Sequence, residues 1–93
     1  MYTIAETHSA AKELDKAPKE IQEKYEFWKN IAKTSGVDGL KQVSGFKDHP
    51  LKGEWEGARS SSLNVKWRVI YYVCNEEILI TIVRITAHDY RRK

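Results

Sequence analysis

Cysteine is almost absent from this chain, Cys74 being the one cysteine among 93 residues. An intramolecular disulfide is therefore excluded, and neither CxxC nor HExxH spacing occurs, so no metal site is expected. Cys74 falls in a predicted strand and reads as a small core residue. Long apolar runs are missing as well. The longest, Val69 to Cys74 and Ile78 to Val83, fall far short of the roughly 20 residues that cross a bilayer as a helix. The opening MYTIAETHSA has no basic start followed by an apolar stretch, so no secretory leader is expected and the cytosol is the expected compartment. There is no phosphate-cradling glycine loop, no nucleophilic serine elbow, no repeat and no linker.

What is present fits one domain over residues 1–93. Apolar residues make up 41%, enough for a modest core and too many for a disordered chain. A core of that size leaves little stability to cover a misplaced charge. The net charge of +3 is uneven. Residues 1–40 carry six Lys and seven Asp or Glu, giving −1, whereas residues 41–93 carry ten Lys or Arg and six Asp or Glu, giving +4. The C-terminal half is the expected face for a polyanion, either a nucleic acid or an acidic protein.

Tyr2 to Glu6 alternates weakly and reads as a first strand. Thr7, His8 and Ser9 supply cap-type residues before a short helix over Ala10 to Leu14, with His8 solvated at its start. Pro18 suits the first position of a second helix. There Ile21, Tyr25, Trp28, Ile31 and Ala32 form one apolar stripe, and Gly36 supplies a stop. Asp38 to Val43 reads as a further helical turn, and Ser44-Gly45 and His49-Pro50 mark a loop. Strands follow over about Ala58 to Leu63, Trp67 to Cys74 and Ile78 to Thr86, the last two joined by a turn at Asn75-Glu76-Glu77. The fold class is α+β: an N-terminal strand and a helical hairpin packed on an antiparallel sheet, the other sheet face being partly open.

Arg68 stands at the start of the most apolar strand, where an unpaired cation is costly. It therefore requires an acidic partner, a carbonyl or an anionic ligand, and a phosphate is the favoured reading. Arg84 on the partner strand would lie near it, either sharing an anion or bridged to Glu54, Glu56 or Asp89. His49 and His88 flank this strand in sequence, and histidine titrates in the range that suits a general acid or base. Ser60-Ser61-Ser62 reads as strand surface whose alternate members can touch a ligand.

The stretch KDHPLKGEWEG, Lys47 to Gly57, resembles the KDHPL-G-W-G stretch of YafQ-type toxins, and HPLKG-EG followed by Trp67-Arg68 resembles HigB. WRVIYYV resembles the R-V/L-I/V-Y strand of RelE-type toxins, and Thr86-Ala87-His88-Asp89-Tyr90 resembles their C-terminal catalytic tail. The chain thus resembles the RelE/YoeB/YafQ/HigB toxin superfamily, with its microbial ribonuclease-like sheet. The resemblance implies a metal- and cofactor-free toxin that cleaves messenger RNA on the ribosome through attack of the ribose 2′-OH, leaving a 2′,3′-cyclic phosphate. A cognate antitoxin would silence it by wrapping the basic face or packing on the helical hairpin, and operator DNA would be reached only through that complex.

Carried over by position, His49 is the acid/base residue and Arg68 holds the scissile phosphate. His88 protonates the leaving 5′-oxygen, and Tyr90 stacks on or orients a base. Lys47, Lys52, Arg59, Ser62, Lys66, Arg84, Arg91 and Arg92 are the candidate RNA contacts. Two departures stand out. Ser62 occupies a position where related toxins place a second His or an Arg, and Lys66 one where YafQ-like proteins carry an acid. The alternative from a different class is a ParE-like inhibitor of DNA gyrase without ribonuclease chemistry. A third reading is a member that only binds antitoxin.

Overall fold

The computed structural model describes residues 1–87, so the sequence readings on His88, Tyr90, Arg91 and Arg92 lie outside the described residues. The elements are β1 (Thr3–Glu6), α1 (His8–Lys16), α2 (Lys19–Gln42), β2 (His49–Pro50), β3 (Arg59–Ser62), β4 (Arg68–Cys74) and β5 (Leu79–Thr86). Five strands form one sheet in the order β1-β5-β4-β3-β2. The α+β class expected from the sequence is the class observed. Among the described residues, no helix is long and apolar enough to cross a membrane.

The Thr7 side chain caps α1 by accepting the Ala10 N–H at 3.1 Å, which satisfies one of the unpaired donors of a first helical turn. Pro18 is the cap of α2 rather than its first helical residue. Ile21, Tyr25, Trp28 and Ala32 are buried, the stripe that the 3.6-residue period predicts. Gly36 then breaks the helix with φ 63° and ψ −154°, and a last helical piece runs on to Gln42. A side chain at Gly36 would sit 2.5 Å from the Tyr2 ring, so glycine meets both the left-handed backbone and the close approach of the N-terminal residue. Tyr2 is held there by its N–H to Lys33 O, at 2.8 Å, and by its hydroxyl to Asn75 Oδ1, at 3.2 Å.

Strands β3, β4 and β5 form the expected antiparallel meander. Strand β1 joins it parallel to β5, from Thr3 opposite Leu79 to Glu6 opposite Ile82, so the sheet is mixed rather than wholly antiparallel. The helices between β1 and the meander supply the long connection that a parallel neighbour needs. The helix-side core centres on Trp28, stacked on Tyr25 with centroids 5.8 Å apart and edge-on to Tyr71 at 5.2 Å. On the opposite face, Leu51, Ala58 and Ile70 make a second small cluster with Trp55 and Val83. The face expected to be open is thus covered in part by the segment between β2 and β3.

Two expectations are corrected. Cys74 is exposed, not buried in the core. It ends β4 opposite Leu79 and alternates onto the same face as Ile70, beyond the apolar cover. Arg84 is bridged to Glu13 of α1, at 2.7 Å; among the described residues it has no bridge to Glu54 or Glu56, and the expected alternative Asp89 lies outside them. The register explains why. Ile70 pairs with Arg84 and Tyr71 with Ile82, so Val83 is an extra residue in β5. This bulge frees local backbone donors, and Glu13 takes both the Ile85 N–H, at 2.8 Å, and the Arg84 Nε, at 2.9 Å. Arg68 lies opposite Thr86, two pairs further along the ladder from Arg84.

Candidate active site

Alternation along the strands decides which side chains meet. Arg68 pairs with Ser62, Ile70 with Ser60, and Ser60 with His49, so all five share the sheet face turned away from the helical core. At the Arg68 end this face runs into a cleft of about 720 Å³. Lys47, His49, Ser62 and Arg68 all line it. One wall comes from α2, with Lys24 and Phe27, and another from the loop between β3 and β4, with Leu63 and Val65. That loop is braced by Asn64, whose Oδ1 accepts the N–H groups of Lys66 and Trp67 at 2.8 and 2.7 Å, a side-chain turn that needs Asn or Asp. Three cations, Lys24, Lys47 and Arg68, face one carboxylate, Glu20, around the cleft. The field there favours an anion.

Arg68 is only 9% exposed. Its Nη1 donates to Ser62 Oγ at 3.0 Å, while its Nε is buried and has no partner among the described residues. A guanidinium with a neutral hydroxyl beside it and an idle donor is under-satisfied, and an anion in the cleft would complete it. The Oγ of Ser60 on the same face is likewise buried and unpaired among the described residues.

His49 is set by its neighbours. Its Nδ1 lies 2.8 Å from Lys47 O. A carbonyl can only accept, so Nδ1 carries the hydrogen and Nε2 is left for a proton from elsewhere. Lys47 presents that carbonyl from a left-handed backbone, φ 48° and ψ 42°, a conformation costing a non-glycine residue about 1–2 kcal/mol. Strain of this kind gathers at functional sites.

Asp48, between these two residues, escaped the sequence reading. Its buried carboxylate accepts from Arg59 Nε at 2.7 Å, from Ser61 Oγ and from the Tyr71 hydroxyl. Burial, then the bond to Asp48 and its charge, pushes the Tyr71 hydroxyl far above its ordinary range, so it remains a donor. Asp48 thus pins the turn carrying Lys47 and His49 to strands β3 and β4, and it is a positioning residue. It lies inside the KDHPL stretch, but its role is not legible there, because its donors lie 11 to 23 residues away.

The remaining candidates are placed apart. Arg59, read as an RNA contact, is committed to Asp48. Arg84 is held by Glu13. Lys52 and Lys66 are exposed and lie outside the residues lining the cleft. The ladder brings Thr86 alongside Arg68, two residues before His88 in sequence.

Comparison with known proteins settles the family. The family model for the YafQ bacterial toxin of type II toxin-antitoxin systems matches residues 2–91. The chain belongs to this toxin family. Solved structures agree in fold. YafQ from E. coli BL21(DE3) superposes with a TM-score of 0.78 at 20% identity, covering 95% of this chain and 94% of that one. YoeB in the YoeB–YefM complex of Staphylococcus aureus gives 0.73 at 18% identity, with 96% and 99% covered. The E. coli DinJ–YafQ complex gives 0.71 at 20%, with 95% and 94% covered. No match was found among curated proteins. The resemblance read from the KDHPL and WRVIYYV stretches and the element order therefore holds, and the toxin falls on the YafQ side of the superfamily.

Proposed function

We propose that this toxin is a metal-independent endoribonuclease that cuts messenger RNA on the ribosome and is silenced by a cognate antitoxin. The observation that carries this reading is Arg68, nearly buried, with an idle donor at a cleft that also holds Lys47, His49 and Ser62. Antitoxin complexes solved for DinJ–YafQ and YoeB–YefM support the partner class. The proposed place of action is the cytosol, where ribosomes are.

The chemistry follows from the donors present. The scissile phosphate sits against Arg68, with Lys47 adding charge. The His49 Nε2 takes the proton of the ribose 2′-OH. The 2′-oxygen attacks phosphorus as the bond to the 5′-oxygen breaks, and His88 supplies the proton to that leaving oxygen. The products are a 2′,3′-cyclic phosphate and a 5′-hydroxyl. Since the nucleophile belongs to the substrate, the protein contributes position and charge, and each proton-transfer group adds roughly 10²–10⁴-fold. Tyr90 stacks on a neighbouring base.

The test is growth arrest on induction, read with Arg68→Ala, His88→Ala and a variant lacking both His49 and His88, each checked for fold by circular dichroism. Arrest should be relieved in all of them, and cleavage by the wild type should persist when transition metals are chelated at the constant Mg²⁺ that ribosomes need. Full toxicity without both histidines overturns the reading. Arrest with DNA damage signalling and intact translation would favour a gyrase-binding inhibitor instead.

A further inference from the structure

The cleft is larger than its phosphate site needs. At about 720 Å³ it lies well inside the range of pockets that enclose organic ligands, roughly 300–1,000 Å³. Its lining is also apolar, with Phe27, Val43, Phe46, Leu63 and Val65 among the residues that form it. Phe27 is the odd residue of α2. It falls off the helix's buried stripe and stays 54% exposed, although its ring rests on Phe46 at 5.9 Å and 57°. Val65, which lines the same cleft, is 90% exposed. A core role does not account for either residue, since truncating such exposed side chains would leave the packed interior intact. The cations of the same cleft, Lys24 and Lys47 beside Arg68, outnumber Glu20.

An exposed, braced aromatic ring beside a cationic track is the arrangement that binds unpaired nucleotides: charge follows the backbone while bases stack on the ring. We propose that Phe27, backed by Phe46 in a cleft that Val65 also lines, is a subsite for one unstacked nucleobase adjacent to the phosphate held at Arg68. This rests on the ribonuclease reading and deepens it, because a stacking platform on α2 adds base selection that the phosphate contacts cannot supply. The contact is to a base face, so the subsite favours larger, better-stacking bases over a specific hydrogen-bonding edge.

The experiment is titration of purified toxin with 2′-O-methyl RNA tetranucleotides, which cannot be cleaved, against counterparts with one base removed at each position in turn. Wild type should bind the intact oligonucleotide roughly 5- to 150-fold more tightly than one abasic analogue, the worth of a base stacked on an aromatic ring. Phe27→Ala should erase that difference, and Phe27→Trp should retain it and show quenched fluorescence on binding. Arg68→Ala should weaken intact and abasic oligonucleotides alike. If Arg68→Ala weakens binding but Phe27→Ala leaves base discrimination intact, the subsite is wrong and the ribonuclease reading stands. If Arg68→Ala changes nothing, the phosphate site itself is wrong, and the subsite falls with it. If Phe27→Ala spares RNA binding and impairs only antitoxin binding, the apolar lining serves the antitoxin and the proposal is overturned.

Discussion

Arg68 lines the cleft with a buried Nε that has no partner among the described residues, and a side chain in that state is costly to the fold. Replacing it with a flexible apolar residue of similar length should therefore separate stability from chemistry. Arg68→Met is expected to raise stability by about 1–3 kcal/mol, the scale of removing an unsatisfied buried donor, while cleavage falls by at least about 100-fold, the scale of losing one preorganised donor to a developing anion. Urea unfolding and a single-turnover cleavage assay read the two effects. Lower stability in Arg68→Met would mean that the guanidinium is already satisfied. Asp48 makes the opposite case. Asp48→Asn would leave Arg59 without its counter-ion and set an amide donor against Ser61 or Tyr71. Breaking a buried pair costs about 3–5 kcal/mol. Arg59 keeps 22% of its side chain exposed, so the lower end, about 3 kcal/mol, is expected in urea. Residual activity should fall more than for Tyr71→Phe, which removes one donor and keeps the carboxylate.

Among the elements, α2 depends on an interruption at Gly36. Gly36→Ala is expected to cost at least about 1–2 kcal/mol from its left-handed backbone alone. Displacing the Tyr2 ring, with its hydrogen bond to Asn75, adds to that cost. Gly45→Ala has open space around it and should cause no such loss, so the pair of urea curves isolates the interruption. These elements also show what a sequence can and cannot disclose. The stripe Ile21, Tyr25, Trp28 and Ala32 was visible because burial follows the helix period. The β-branched and aromatic run from Trp67 to Cys74 marked β4 for the same kind of reason. Arg68 stood out because a cation among apolar residues demands an explanation. The parallel pairing of β1 with β5 was hidden, because register between distant segments leaves no local pattern. So were the two-residue strand at His49–Pro50, the bulge that hands Arg84 to Glu13, and the donors of Asp48. Cys74 was misread because composition locates a strand but not where its apolar cover ends.

In the whole molecule, Lys24, Lys47 and the under-satisfied Arg68 meet, among the described residues, at one cleft at the end of a mixed sheet. Under the proposed function, the three cations that line the cleft among the described residues give RNA binding a modest electrostatic share. The slope of log K against log salt for single-stranded RNA should be about −2, from roughly 0.7 per neutralised phosphate. Fluorescence titrations between low and moderate salt measure it, and a flat profile would separate the cleft from the RNA backbone. An acidic antitoxin segment crossing the same cleft would compete with RNA and show a similar salt dependence. The most direct test maps 5′ ends on a reporter transcript by primer extension after brief induction, comparing wild type with Arg68→Ala. New ends inside the reading frame, present with the wild type and absent with the variant, are expected. An intact transcript alongside growth arrest would contradict the ribonuclease assignment. New ends undiminished in Arg68→Ala would contradict the place given to the cleft.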